Sequence, residues 1–99
     1  MRIIARKTLR DFWEQYPDSE SGLRHWYERI SKNDWLMPSD IATSFKGADI
    51  IDSERVVFNI ARNKYRSVVA FDYEFQTCWV KFIGTHAEYD RIDVKTIDI

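Results

Sequence analysis

The chain has little that bends the backbone, crosslinks it or biases its charge: of 99 residues, three are Gly, two Pro, one Cys and two His. So few Gly and Pro leave little room for a disordered segment or a long flexible tail. A lone cysteine, Cys78, excludes an internal disulfide framework and a multi-thiolate zinc site. Its apolar neighbours mark it as a buried, inert thiol. His25 and His86 are far apart and match no ligand spacing such as H-E-x-x-H, so neither a metal nor another cofactor is expected. There is no Gly-rich phosphate loop and no G-x-S-x-G elbow. A Cys78–His86 nucleophilic pair fails on geometry, because the strand between them spans about 25 Å.

Charge of one sign is also missing. Fifteen basic residues face sixteen acidic ones, for a formal net charge of −1. A domain that grips duplex nucleic acid usually carries a clear basic excess, so this chain has room for a local basic patch and not for a broad basic surface. No apolar run approaches about 18 residues, and Met1–Arg10 has no signal-peptide pattern. The expectation is a soluble, cytoplasmic protein without membrane association.

What the chain does have is apolar mass: 44% hydrophobic residues and 15% aromatics, including four Trp, five Tyr and six Phe. That supplies one core, and no repeat or linker divides the chain, so residues 1–99 read as a single domain. The Ile-rich stretch Arg2–Lys7 suits a first strand. Thr8, with Asp11 three residues on, approximates a capping box. Leu9, Phe12, Trp13 and Tyr16 then repeat at the spacing of one helical face, and Pro17 stops the helix. The same spacing recurs in Leu23, Trp26, Tyr27 and Ile30, after possible caps at Asp18, Ser19 or Ser21, and Asn33-Asp34 ends that helix. The two stripes predict a helical hairpin laid on a sheet, with the aromatics as core rather than as base-stacking platforms. His25 beside them reads as a surface residue.

Trp35–Asp52 is the least legible stretch. Pro38-Ser39-Asp40 suits the start of a short helix carrying Ile41, Ala42 and Phe45, with Lys46-Gly47 at its end. From Arg55 the period becomes that of strands: Arg55–Arg62, a tight turn at Asn63-Lys64, then Tyr65–Phe75 and Cys78–Gly84 joined around Gln76-Thr77. Helices followed by an antiparallel meander predict an α+β fold with helices on one sheet face.

Candidate chemistry gathers at one end of that meander. Arg62, Asn63, Lys64 and Arg66 flank the hairpin turn, and antiparallel pairing returns Gly84-Thr85-His86 beside Tyr65-Arg66. Thr85-His86-Ala87-Glu88 matches a capping box, which starts a helix at His86 and brings Tyr89 onto the same face. The N–H groups of that helix start favour an anion such as phosphate. Arg66, His86 and Tyr89 together suit metal-free RNA cleavage: a base takes the 2′-hydroxyl proton, Arg stabilises the phosphorane, and an acid protonates the leaving oxygen. The 2′-hydroxyl restricts that chemistry to RNA. A structural reading stands beside it, with Arg66 paired to Glu88 or Asp90, His86 solvated and Tyr89 in the core.

Asn63-Lys64-Tyr65-Arg66-x-Val68-Val69-Ala70 and Cys78-x-Val80-x-Phe82-x-Gly84-Thr85-His86-Ala87-Glu88-Tyr89-Asp90 closely resemble the HigB family of toxins, in the RelE-like superfamily of type II toxin–antitoxin systems. The Gly-Thr-His-x-Glu-Tyr-Asp run is the most specific part, and the helical hairpin ahead of the meander fits as well. The resemblance implies a RelE-like fold: an N-terminal strand and helical hairpin on an antiparallel meander, with a short C-terminal helix. It implies an mRNA interferase, a ribosome-dependent endoribonuclease that acts in the aminoacyl site and inhibits translation. A HigA-type helix-turn-helix antitoxin would silence it, with operator DNA bound only through the antitoxin complex. By motif position, Arg66 is similar to the catalytic arginine of the superfamily and Tyr89 to the tyrosine of its terminal helix. His86 stands where many relatives carry Arg, and suits base or acid. Arg62, Asn63, Lys64 and Lys81 are the secondary RNA contacts. Near-neutral charge is compatible, because a ribosome-bound enzyme takes substrate position from the ribosome. The rival readings are a catalytically inert RelE-like module that binds RNA or a partner protein, and a structural domain with Trp13 and Trp26 outside the core.

Overall fold

The computed structural model describes residues 1–4 and 6–99, Arg6 by its backbone alone. Strand β1 (Arg2–Ile4) leads into helix α1 (Arg6–Gln15), a 3-10 turn (Pro17–Ser19) and helix α2 (Glu20–Ser31). Helix α3 (Pro38–Ser44) and strands β2 (Asp49–Ile50), β3 (Arg55–Ile60), β4 (Tyr65–Asp72) and β5 (Thr77–Thr85) follow, and α4 (His86–Tyr89) ends the regular structure. The sheet order is β1-β5-β4-β3-β2. The β3–β4–β5 meander is antiparallel, and β1 lies parallel on its outer edge, with Ile3 opposite Cys78. The fold is α+β around a mixed sheet.

The aromatic stripes are core, as their spacing predicts. Leu9, Phe12, Leu23, Trp26 and Ile30 are buried, and Trp13, Tyr16 and Tyr27 pack at their margin. They meet Val56, Phe58, Ile60, Tyr65, Val69 and Phe71 on one sheet face; Trp26 lies inside this core and Trp13 half-buried at its edge, rather than both outside it. Pro38 opens α3 from the N1/N2 position, where its missing N–H costs nothing.

Several expected boundaries shift. The first strand ends at Ile4 rather than Lys7, and Ala5, inside the expected Arg2–Lys7 span, lies outside the described residues. Thr8 is not an N-cap: α1 already runs from Arg6, and Asp11 pairs with Lys7 one turn back at 2.9 Å instead of closing a capping box. The Ser19 hydroxyl donates to the Tyr16 carbonyl and makes no cap bond to α2. The β3–β4 connection is a four-residue turn, not an Asn63-Lys64 pair: Ala61, Arg62 and Asn63 all adopt positive φ. Strand β4 stops at Asp72 rather than Phe75.

Two further features lie outside the sequence reading. Strand β2 pairs with β3, Asp49 opposite Val57, and so carries the segment after α3 to the sheet edge. A bulge also interrupts β4–β5 pairing: Val69 faces Val80 but Val68 faces Phe82, which leaves Lys81 unpaired. A single extra residue swaps every following side chain to the other face. Cys78 and Val80 therefore join the main core, while Phe82 joins Val57 and Val68 in a second cluster on the opposite face. Tyr89, Ile92, Val94 and Ile97 cover that cluster. Arg55 holds this C-terminal run down, donating from Nη1 to the carbonyls of Val94 (3.0 Å) and Ile97 (2.8 Å).

A polar clasp joins the helical hairpin to the β3–β4 turn. Lys64 and the Tyr65 hydroxyl both donate to the Asp18 carboxylate. The Lys64 bond first, and then that of Tyr65, hold the Asp18 carboxyl below its ordinary value of 3.8. A depressed carboxyl contributes stability that is present above the unfolded-state value and lost as pH falls through the folded-state value. Asp18→Asn should therefore lower the melting temperature by a constant amount from pH 7 to 5. That gap should close as pH drops below about 3.8, as thermal melts across pH would record.

Candidate functional site

Arg66 sits near the start of β4, opposite Gly84 on β5 and Asn59 on β3, on the face away from the helices. Gly84 brings no side chain to that face, which leaves its space to neighbours. Immediately after β5 the chain turns into α4 through a complete capping box. The Thr85 hydroxyl accepts from the Glu88 N–H at 3.2 Å, and the Glu88 carboxylate accepts from the Thr85 N–H at 2.8 Å. This local lock fixes where His86 and Tyr89 project, since two orphan donors of the helix start are satisfied reciprocally. Tyr89 is further held by Phe82, ring centroids 6.4 Å apart.

The three candidate catalytic residues come together around the Tyr89 ring. The Arg66 guanidinium carbon lies 4.9 Å from the ring centroid, a cation–π contact, and the His86 ring lies 6.3 Å away, edge to face. Arg66 is not paired with Glu88 or Asp90, as the structural reading would have it. Its Nη1 is 3.8 Å from Asp49, its Nη2 donates to Asn63 at a long 3.4 Å, and its buried Nε has no partner among the described residues. A guanidinium offers five N–H donors. With a side chain only 17% exposed and so thinly bonded, Arg66 is fixed in direction but unsatisfied in hydrogen bonding, which suits an incoming phosphate. His86 is half exposed, and its Nδ1 lies 3.5 Å from Asp90.

The secondary positions divide. Arg62 and Asn63 are exposed in the turn beside Arg66. Lys64 is exposed but tied to Asp18 on the hairpin side. Lys81, the bulge residue, is 3.3 Å from Asp98 and lines a cleft of about 580 Å³ with Arg55, Ala70, Asp72 and Trp79, farther along the sheet from Arg66. Cys78 is buried, and burial pushes its thiol up to about 12, so it takes no part in this chemistry. Among the described residues no group of three His, Cys, Asp or Glu is placed to hold a metal, and no helix is long and apolar enough to cross a membrane.

Two carboxylates at the site were not among the expected residues. Asp90 closes the quoted motif, and its i,i+4 spacing from His86 was a readable signal. Asp49 had none: it reaches Arg66 only because β2 pairs at the far edge of the sheet.

Comparison with known proteins bears on the family. Residues 19–92 match the family model described as HigB_toxin, RelE-like toxic component of a toxin-antitoxin system. The chain is similar to the mRNA interferase toxin HigB of Escherichia coli (strain K12), 30% identical over 92 residues, covering 91% of this chain and 88% of the relative. The mRNA interferase HigB of Shigella flexneri matches to the same extent. That of Escherichia coli O6:H1 is 26% identical over 94 residues, covering 93% of this chain and 91% of the relative. By its sheet, its capped terminal helix and this match, the chain belongs to the HigB family, the RelE-like toxic component of a toxin–antitoxin system.

Proposed function

We propose that this toxin is a ribosome-dependent endoribonuclease that cuts messenger RNA without a metal, by attack of the ribose 2′-hydroxyl on the adjacent phosphate. The observation that carries the reading is that the Arg66 guanidinium and the His86 imidazole both border the Tyr89 ring. Cleavage needs a fixed positive fork for the phosphorane and a group that moves protons near neutral pH, within reach of one phosphate. Arg66 serves as the fork. His86 is the proton-transfer residue, and Tyr89 orients Arg66 or stacks on a base. Arg62 and Asn63, in the neighbouring turn, are placed for the flanking phosphates. Lys64 would have to leave Asp18 to join them, and Lys81 stands too far along the sheet for the same nucleotide.

The mRNA interferase names of the relatives support the substrate class. A formal charge of −1 supports dependence on the ribosome, because the protein has little surface with which to hold free RNA. Silencing by a HigA-type helix-turn-helix antitoxin, with operator binding only through the complex, completes the type II reading. Purified protein should cut messenger in programmed ribosomes at least a hundredfold faster than the same RNA alone, as primer extension would show. Equal rates on both would remove the ribosome from the mechanism, and no cleavage of either would remove the enzyme reading.

A further inference from the structure

The reaction needs a proton acceptor as well as a donor, and His86 cannot be both in one step. Among the described residues three side chains meet the Arg66 guanidinium: Tyr89 by its ring face, Asn63 by its amide oxygen and Asp49 by its carboxylate. A neutral amide does not accept a proton at useful rates, and Tyr89 presents its ring. Asp49 is the remaining base.

Its placement is built rather than incidental. Gly47, in the left-handed region at φ 83°, turns the chain after α3. The Asn59 amide donates to the Gly47 carbonyl at 3.0 Å and clasps that turn to β3 beside Arg66. A Cβ at Gly47 would stand 3.0 Å from the Asn59 amide nitrogen, so the clasp itself depends on glycine. Strand β2 then sets Asp49 on the site face, opposite Val57. In the sheet order, β2 lies to one side of β4 and the β5–α4 junction to the other. Asp49 and His86 therefore flank Arg66 from opposite sides, as an in-line displacement requires of the groups serving the attacking and leaving oxygens.

We infer that Asp49 is the general base and His86 the general acid of the cleavage step, an assignment that rests on the ribonuclease reading of this site. As phosphate takes its place on the Arg66 fork, the long Asp49–Arg66 pair opens. Asp49 removes the 2′-hydroxyl proton as the O2′–P bond forms. The P–O5′ bond breaks, and O5′ takes a proton from His86, while Asp90 stays at Nδ1. The products are a 2′,3′-cyclic phosphate and a 5′-hydroxyl end. Protonated Asp49 and neutral His86 then exchange protons with water to restore the starting state.

The test is single-turnover cleavage of messenger in programmed ribosomes by wild type, Asp49→Asn, Asp49→Glu and His86→Ala, at saturating toxin. Each is run on normal RNA and on RNA whose scissile 5′-oxygen is replaced by sulfur. A thiolate leaves without protonation, so the acid becomes dispensable and the base does not. Asp49→Asn should slow cleavage of normal RNA by about a hundredfold to ten-thousandfold, with affinity for the ribosome unchanged, and the sulfur substrate should not rescue it. Asp49→Glu should recover part of the rate. His86→Ala should be slow on normal RNA and rescued by sulfur. Asp49 is 61% exposed, so melting temperature should not move. Asp49→Asn within fivefold of wild type, or rescued by sulfur, overturns the assignment of the base. If the His86 variant also keeps full activity, the ribonuclease site itself has been misplaced.

Discussion

Arg66→Ala should cut messenger at about a thousandth of the wild-type rate, the loss expected when a preorganised donor to a developing phosphorane is removed. Growing cells induced to make the variant should continue to divide, with their translated messages intact. The side chain can be removed with little damage to the fold. Its buried Nε has no partner among the described residues, its bond to Asn63 is long at 3.4 Å, and its ion pair with Asp49 stands at 3.8 Å. Truncation thus deletes an unmet donor rather than orphaning one. Thermal melts should place the variant close to wild type, which separates lost catalysis from lost structure. Arg66→Lys should recover only a small part of the rate. It restores the charge, but not the planar fork or the stacking on Tyr89 4.9 Å away. Wild-type toxicity in Arg66→Ala would take this residue out of the mechanism.

How much of this site was legible in the sequence follows from the range of the interactions that build it. The Thr85–Glu88 capping box closes within four residues, and its side-chain types alone announce it. Arg66 beside Gly84 follows from a hairpin and its return strand, again a near-neighbour pairing. The helical stripes of Leu9–Tyr16 and Leu23–Ile30 were readable because burial enforces their period. Thr8 misled because a Thr with an acidic residue three positions on also occurs inside a helix, and there Asp11 serves Lys7. Cys78–Gly84 was legible as a strand, but the bulge at Lys81, which divides its apolar residues between two faces, was not. No local residue type marks a bulge in a strand of this composition. Asp49 was illegible for a stronger reason. Its position depends on β2 finding the edge of β3, on a left-handed Gly47 and on the Asn59 clasp, none of which leaves a periodic trace.

That same bulge gives the family motif its physical content and sets the second large effect. Because Phe82 is turned to the site face, its ring lies directly across Gly84. A Cβ at position 84 would stand 2.6 Å from the Phe82 ring and 3.2 Å from the Glu88 carboxylate. The first distance is well inside van der Waals contact, and the ring is only 8% exposed, packed with Val57 and Val68. It has no free space into which to tilt. The second distance crowds the carboxylate that closes the α4 capping box. Gly84→Val should therefore act twice. Displacing Phe82 is overpacking of a small core, at about 1–3 kcal/mol, which for a domain of this size lowers the melting temperature by roughly 5–20 °C. Losing the capping box loosens a four-residue helix that has no fully buried residue, and displacing Phe82 removes the packing that otherwise holds its Tyr89. Tyr89 and His86 would then lose their fixed relation to Arg66. Cleavage should fall by about a hundredfold or more even at temperatures where the variant is fully folded, because catalysis tolerates little misplacement of proton-transfer groups. Gly84→Ala should show the same signs more mildly. Far-ultraviolet melts, paired with cleavage measured well below the midpoint, separate the two losses. A Gly84→Val protein that melts like wild type and still cuts messenger would mean that Phe82 and the α4 cap do not set the geometry of the site.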